Sequence, residues 1–416
     1  MHNQNRDIKY KEPSGDFKYQ FILFMIWPLL SLISAIKNVR LPGSRHIVTL
    51  FCGFIGLLFY VRPGVDASRY QQWFLEYTHK DFGDFWMDVI AVFVEQTETD
   101  LFRHLINYTV SRFTGDPMWL WVTLGLIFGY FYSKNIWFLI NNTEERFNLN
   151  AALFMVAFIF IITPMQGINQ FRFWLAAHVF FMGAVNIIMF RNPKYFIAAF
   201  AAPLIHFGMM LPVAVLVAFY FLGRRDFIYI PLAIGSAMLA EVDFRLLSDH
   251  AAMLGPAFEA RFEGYTGDRA VERVESRFDR VWYVSLWQPL LLYTTYGMMA
   301  YVYIMFREKL SEGLKNFTSF LFIFITLINL INHFPMIYRY RPVLYLFLFA
   351  FLYLVYKELD IRRIDIGLLF CLFPVLLMVV FHTRTSIDLV NAVILIANPF
   401  FAFIGNFDTS LFEFIQ

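Results

Sequence analysis

The sequence predicts an all-α polytopic integral membrane protein of about 12–13 transmembrane helices, including one broken helical hairpin. Three observations predict it. Apolar residues make up 59% of the 416-residue chain and charged residues only 16%, more hydrocarbon than a soluble domain of that length keeps off its surface. Apolar runs long enough to cross a bilayer recur along most of the chain, whose mean hydropathy is +0.55. Aromatics reach 20%, with 52 Phe among them, and Phe fills hydrocarbon without needing a hydrogen-bond partner.

A helix needs about 20 apolar residues to cross a hydrocarbon layer of roughly 30 Å. The runs that approach this are 20–36, 47–62, 117–139, 150–165, 170–190, 195–222, 227–241, 282–305, 316–333, 340–356, 364–381 and 387–405. The first follows a mixed-charge stretch, contains Pro28 and reaches Lys37 without a small-residue cleavage site, so it reads as a retained span and not a signal peptide. Residues 63–116 and 242–281 mix charges with aromatics at helical spacing and read as extramembrane loops with interfacial helices. The whole chain, 1–416, is then a single transmembrane domain.

Short loops rich in Lys and Arg stay on the cytoplasmic side. Five clusters qualify: Lys37/Arg40/Arg45, Arg191/Lys194, Arg224/Arg225, Arg307/Lys309/Lys315 and Lys357/Arg362/Arg363. A single crossing at 195–222 would put Arg191 and Arg224 on opposite sides. That run also carries Pro203, His206, Gly208 and Pro212 in its middle. Two short helices meeting near His206 at the outer side resolve the conflict, because broken helices are tolerated where protein buries them or a cavity opens. Loops 63–116, 165–170, 242–281, 333–340 and 382–388 then lie outside, with the C-terminus inside and the N-terminus formally outside.

Ionisable groups at the outer boundary therefore call for an explanation. Arg172 follows Asn169 and Gln170 in a short polar loop, Arg339 and Arg341 flank Tyr340, and Asp66, Arg69 and Tyr70 follow Pro63-Gly64. Guanidinium groups hold phosphate oxygens through a planar fork and remain charged at any physiological pH, so several converging at one leaflet would make a diphosphate receptor. The plain alternative is interfacial anchoring for the arginines, a solvated turn residue for Asp66 and a satisfied core residue for His206. Arg384 and Arg62 are weaker candidates. His206, in a helix break, suits a general base near neutral pH, and Asp66 could serve instead.

Other function classes lose their usual signatures. Asp81-Phe82-Gly83 spells a kinase motif without its companions, and there is no P-loop, dinucleotide fingerprint or paired-histidine peptidase motif. The outer loops lack the Asp-x-Asp pair of metal-dependent sugar transfer, so no metal and no cofactor are expected. Cys52 and Cys371, each in an apolar run, build neither a disulfide framework nor a zinc site. A net charge of +2, with its basic residues scattered between apolar runs, argues against nucleic acid as a partner.

Four elements, in order, resemble the EpsG-like branch of Wzy-type O-antigen and capsule polymerases. They are Gly64-Val65-Asp66-Ala67-Ser68-Arg69-Tyr70, Asn169-Gln170-Phe171-Arg172-Phe173-Trp174-Leu175-Ala176, Ala202-Pro203-Leu204-Ile205-His206 leading to Pro212, and Arg341-Pro342-Val343-Leu344-Tyr345. Phe173 stands where that family often has Gln. The resemblance covers roughly residues 20 to 356. It implies a glycosyltransferase-C-like architecture in the bacterial inner membrane and a metal-independent polymerase acting at the outer face. The growing glycan would pass from undecaprenyl diphosphate to the non-reducing end of a new lipid-linked unit. Arg172, Arg339, Arg341 and Arg69 would hold diphosphate, His206 or Asp66 would take the proton, and Asn169, Gln170, Tyr70 and Tyr265 would position glycan. Partners would be undecaprenyl-diphosphate-linked oligosaccharides, the bilayer and assembly proteins such as a chain-length regulator. An O-antigen ligase is the nearest alternative, and a lipid-linked oligosaccharide flippase the non-enzymatic one, although no internal repeat supports it.

Overall fold

The computed structural model describes residues 15–41, 43–95, 100–142, 149–238, 282–332, 337–359, 366–405, 407 and 409–416. These are nearly all helical, with no strand beyond the isolated bridges Phe59–Val390 and Asn391–Ser410. In chain order the helices are α1 Gly15–Ile26, α2 Pro28–Lys37, α3 Ser44–Leu57, α4 Asp66–Tyr77, α5 Phe82–Ile90, α6 Leu101–Ser111 and α7 Pro117–Asn141. Then come α8 Leu149–Phe160, α9 Pro164–Asn169, α10 Phe171–Phe190, α11 Phe196–Ile205, α12 Met210–Leu222 and α13 Asp226–Met238. The remainder are α14 Trp282–Phe306, α15 Glu312–Leu330, α16 Ile337–Leu359, α17 Ile366–Ile387, α18 Pro399–Ile404 and α19 Leu411–Ile415. Among the described residues, 6 stretches are long and apolar enough to cross a membrane: Leu149–Asn169, Phe171–Phe190, Leu286–Lys309, Glu312–Leu330, Ile337–Leu359 and Phe370–Ile387. The protein is thus an all-α, multi-pass membrane protein.

Two helices, α10 and α16, form the centre, each with 78% of its most apolar window buried. Phe347 of α16 meets Phe180 and Phe181 of α10 and Phe317, Phe320 and Phe324 of α15 in tilted or edge-on ring contacts. Lipid is as apolar as these rings, so fit and dispersion must hold the helices together. The same requirement shows in the tightest pair, α3 with α7. A Cβ on Gly56 would sit 2.2 Å from the Trp121 carbonyl oxygen, and one on Gly125 would sit 2.3 Å from that of Cys52. Only hydrogen fits at either place.

The run 195–222 is broken as expected. The first half, α11, ends at Ile205; His206 is extended (φ −149°, ψ 116°), and a 3-10 turn, Phe207–Met209, leads into α12. The chain then doubles back: the Phe196 ring meets the Tyr220 ring at 5.0 Å, and Arg191 lies 5.9 Å above Phe219. The tip therefore lies at the end where α10 begins. The opposite end gathers the basic clusters. Arg224 pairs with Glu312 at 2.8 Å, Arg307 approaches Asp226 at 3.6 Å, and the Ser311 N–H donates to Glu358 at 2.6 Å. Phe138 against Phe190 brings the end of α7 there too, and with it Arg45 beside Tyr130 at the start of antiparallel α3. Arg362 and Arg363 lie outside the described residues.

Three expectations are corrected. The run 20–36 is not one span: it splits at Trp27 into two short helices, α1 and α2, of 12 and 10 residues. The pair folds back, with Ser31 Oγ donating to the Gln20 carbonyl at 2.8 Å and Gln20 Nε2 donating to Ser44 Oγ at 3.1 Å. So α1 starts at the basic end, where the expectation of an outer N-terminus does not place it. The run 387–405 is not a span either. Asn391 and Asn398 cap short turns, Pro399 opens α18, the Leu395 carbonyl accepts from Trp27 Nε1 at 2.8 Å, and Phe403 meets Trp119. This segment lies across the end opposite the basic clusters, so α19 stays there and the C-terminal residues are not at the basic end. Finally, residues 382–388 are not a loop, because α17 continues to Ile387.

Candidate functional site

The site assembles at the hairpin-tip end. Gly64, at φ +80°, makes a turn that side chains resist, and α4 begins right after it with Asp66 as its first residue. Asp66 pairs with Arg69 one turn on, leaving the Arg69 side chain 65% exposed. The first N–H groups of a helix lack intrahelical acceptors. The Asn169 side-chain carbonyl oxygen takes one of them, from Ala67, at 3.3 Å, and so ties α4 to the α9–α10 corner.

That corner places Arg172 in the first turn of α10, only 8% exposed. Its guanidinium lies 5.1 Å from the Tyr70 ring and 5.3 Å from the Trp73 ring. Nη1 donates to Asp100 Oδ2 at 2.6 Å, and among the described residues Nε has no partner. Asp100 is itself buried and held at φ 65°, in the left-handed region. Its other oxygen accepts the Phe207 N–H at 2.8 Å. One carboxylate thus joins α10 to the hairpin tip. At that tip His206 is buried between the Phe173 and Phe207 rings, and its Nδ1 accepts from the Gly208 N–H at 3.0 Å. A neutral imidazole has one acceptor nitrogen, so here the ring hydrogen sits on Nε2. The Tyr340 hydroxyl closes the tip by donating to the Gly208 carbonyl at 2.7 Å.

The structure therefore brings Asp66, Arg69, Tyr70, Asn169, Arg172 and His206 into one cluster. Arg339, exposed and next to the Tyr340 that closes the tip, lies at the rim. Burial pushes the Tyr70 hydroxyl above its ordinary value, against the pull of Arg172, so it stays protonated. Arg341 does not join. Residues two apart on a helix point to different faces, and Arg341 Nη2 instead donates to Asn332 Oδ1 at 2.5 Å. Gln170 is exposed beside the cluster; its neighbour Gln166 is the one held, donating to the Thr385 carbonyl at 3.0 Å. Arg384 reaches Tyr283 Oη at 3.4 Å, and Arg62 pairs with Asp388 at 3.0 Å. Tyr265 lies outside the described residues.

Sequence reasoning missed Asp100, Trp73 and the network behind them. Arg103 lies 4.5 Å from the shared Trp73 ring, and its Nη2 is 3.0 Å from His104 Nε2. His104 Nδ1 is 2.5 Å from Tyr77 Oη, which donates to Asp88, whose carboxylate also binds Lys80 at 2.7 Å. Tyr77 has a single hydrogen and gives it to Asp88. His104 must then donate from Nδ1 and accept at Nε2. Burial opposes ionisation of Asp88, but the hydrogen bonds from Lys80 and Tyr77 outweigh it and hold the carboxyl below its usual range. An aspartate before a helix reads as an N-cap. Asp100 occupies that place before α6 yet makes no cap bond, because its backbone turns the carboxylate toward Arg172.

A family model described as the EpsG family matches residues 44–395, which enclose every element of this cluster. The chain belongs to the EpsG family. That match runs from the first residue of α3 to the segment across the tip end, further toward the C-terminus than the motif resemblance reached. Against curated proteins and solved structures no match was found. EpsG is a family of Wzy-like polymerases, so this member is a multi-pass, glycosyltransferase-like enzyme of polysaccharide assembly.

Proposed function

We propose that the protein polymerises lipid-linked repeat units at the outer face of a bacterial inner membrane, moving the growing glycan from undecaprenyl diphosphate to the non-reducing end of the next unit. The observation that supports this most directly is the convergence of α4, α6, α10, the hairpin tip and the start of α16 on the Arg172–Asp100 pair, at the end opposite all the described basic clusters. The positive-inside rule turns that end outward.

Arg172 is committed to Asp100 and packed under two rings, so it sets the local potential and holds the tip in register. The exposed guanidiniums of Arg69 and Arg339 take the diphosphate. The acceptor hydroxyl attacks the anomeric carbon, the bond to the diphosphate oxygen breaks, and polyprenyl diphosphate leaves with its charge matched by arginine without a metal. His206, with its hydrogen on Nε2, serves as a hydrogen-bond donor; Asp66 takes the acceptor's proton. Purified protein with undecaprenyl-diphosphate-linked repeat units should make a polymer ladder in the presence of EDTA. Arg339→Gln and Asp66→Asn should each lower ladder formation by about tenfold or more, the effect of one lost catalytic contact. Wild-type ladders from both variants would refute these assignments, and loss of the ladder with EDTA would refute metal independence.

A further inference from the structure

The basic end carries a cavity of about 490 Å³ between α13 and α14, a full length of α10 away from the Arg172 cluster. It carries both signs of charge. Arg224, paired outward with the exposed Glu312 at 2.8 Å, Asp226, and Arg307, 3.6 Å from Asp226, all line it. The Asp226 side chain is only 9% exposed, yet it is short of donors. Tyr303 Oη reaches Oδ2 at 3.3 Å and Arg307 at 3.6 Å, while Oδ1 has no hydrogen-bond partner among the described residues. A buried carboxylate so loosely held costs stability unless another cation or donor approaches it. The remaining wall is apolar, with Phe227 78% exposed beside Ile230.

We infer that this cavity binds the headgroup of an inner-leaflet phospholipid that bears both a phosphate and a primary ammonium, of the phosphatidylethanolamine type. Phosphate bridges the two guanidiniums, and the ammonium, a short ethylene link away, supplies the donor Asp226 lacks. The glycerol and acyl stem lie along Phe227 and Ile230. A purely anionic headgroup matches the arginines but meets the carboxylate unpaired, so charge pattern selects the zwitterion. The position at the basic end suits a lipid, since that end meets the headgroup layer where α13 begins and α14 finishes.

The test uses full-length protein purified in detergent, partly delipidated, and mixed with micelles containing dioleoyl-phosphatidylethanolamine or dioleoyl-phosphatidylglycerol. Retained lipid is read by native mass spectrometry and the unfolding temperature by fluorescence. Wild type should retain the ethanolamine lipid about tenfold better, the effect of one charge-assisted hydrogen bond. Asp226→Asn should flatten that preference, lowering retention of the ethanolamine lipid and raising that of phosphatidylglycerol, which no longer meets a carboxylate. Arg307→Gln, at a half-exposed position, should lower retention of both lipids. Equal retention of the two by wild type, or an intact preference in Asp226→Asn, would overturn the inference, as would undiminished retention of both lipids by Arg307→Gln. So would equal stabilisation by soluble phosphoethanolamine, which would point away from a lipid. None of these readouts depends on polymer formation, so they stand apart from the proposed reaction.

Discussion

Replacing Asp100 is the sharpest probe of how the cluster is held. In Asp100→Asn the side-chain volume is kept, but the amide can serve only one of the two donors the carboxylate now serves, Arg172 Nη1 at 2.6 Å and the Phe207 N–H at 2.8 Å. Breaking a buried ion pair from one side costs about 3–5 kcal/mol, because the remaining charge stays out of water. Here that charge is Arg172, whose side chain is 10% exposed. An unsatisfied Phe207 amide adds about 1–3 kcal/mol, and the two penalties overlap because one group relaxes to serve the other. A net loss of at least about 3 kcal/mol is therefore expected, a large share of a typical domain's stability. Thermal unfolding in detergent should show a clear drop, and ladder formation should fall with it as the hairpin tip loosens. The double variant Asp100→Asn with Arg172→Gln removes the stranded charge. It should regain most of the lost stability while polymerisation stays low. A single variant as stable as wild type, or a double variant no more stable than the single one, would refute the coupling of α10 to the hairpin tip through this carboxylate.

Other expectations follow from separate parts of the fold. Gly125→Val should lower yield and unfolding temperature, with overpacking worth about 1–3 kcal/mol or more, since even its Cβ would lie 2.3 Å from the Cys52 carbonyl oxygen; normal stability would show that α3 and α7 can part at no cost. The Asp88 carboxyl is held below its unfolded value of 3.8, so its stabilising contribution is complete above that pH and fades only as pH falls through the lower folded value. Wild type should therefore exceed Asp88→Asn in stability at neutral pH, and the two should converge in strong acid; a constant difference down to strong acid would contradict the ionic role. In whole cells, cysteines placed at Arg69 and Phe414 should label from one side of the membrane and one at Lys309 only from the other, since both native cysteines are buried. Labelling of Phe414→Cys with Lys309→Cys would overturn the position of the C-terminal segment.

Much of this architecture is legible in the amino-acid sequence, because the cost of leaving apolar side chains in water or polar ones in lipid is a local property of each stretch. Hydropathy therefore locates most of the helices, and the charge clusters group the described basic ends together. Pro203, Gly208 and Pro212 announce the central break for the same reason: they alter the backbone where they stand. Similar local logic misleads at two other runs. Pro28 fits the first turn of a helix, so it conceals the reversal at Trp27, and residues 387–405 are apolar because they cap the tip end, not because they cross. Candidate residues near the span ends are legible as types out of place, and Asp66, Arg69, Tyr70, Asn169, Arg172 and His206 do meet. Their partners are not legible. Asp100 reads as a helix cap until α6, α10 and the hairpin tip converge on it, and Arg339 and Arg341 look equivalent until α16 turns them to different neighbours. Pairing across distant segments depends on where helices cross and which face each presents, and those follow from the packing of the whole bundle.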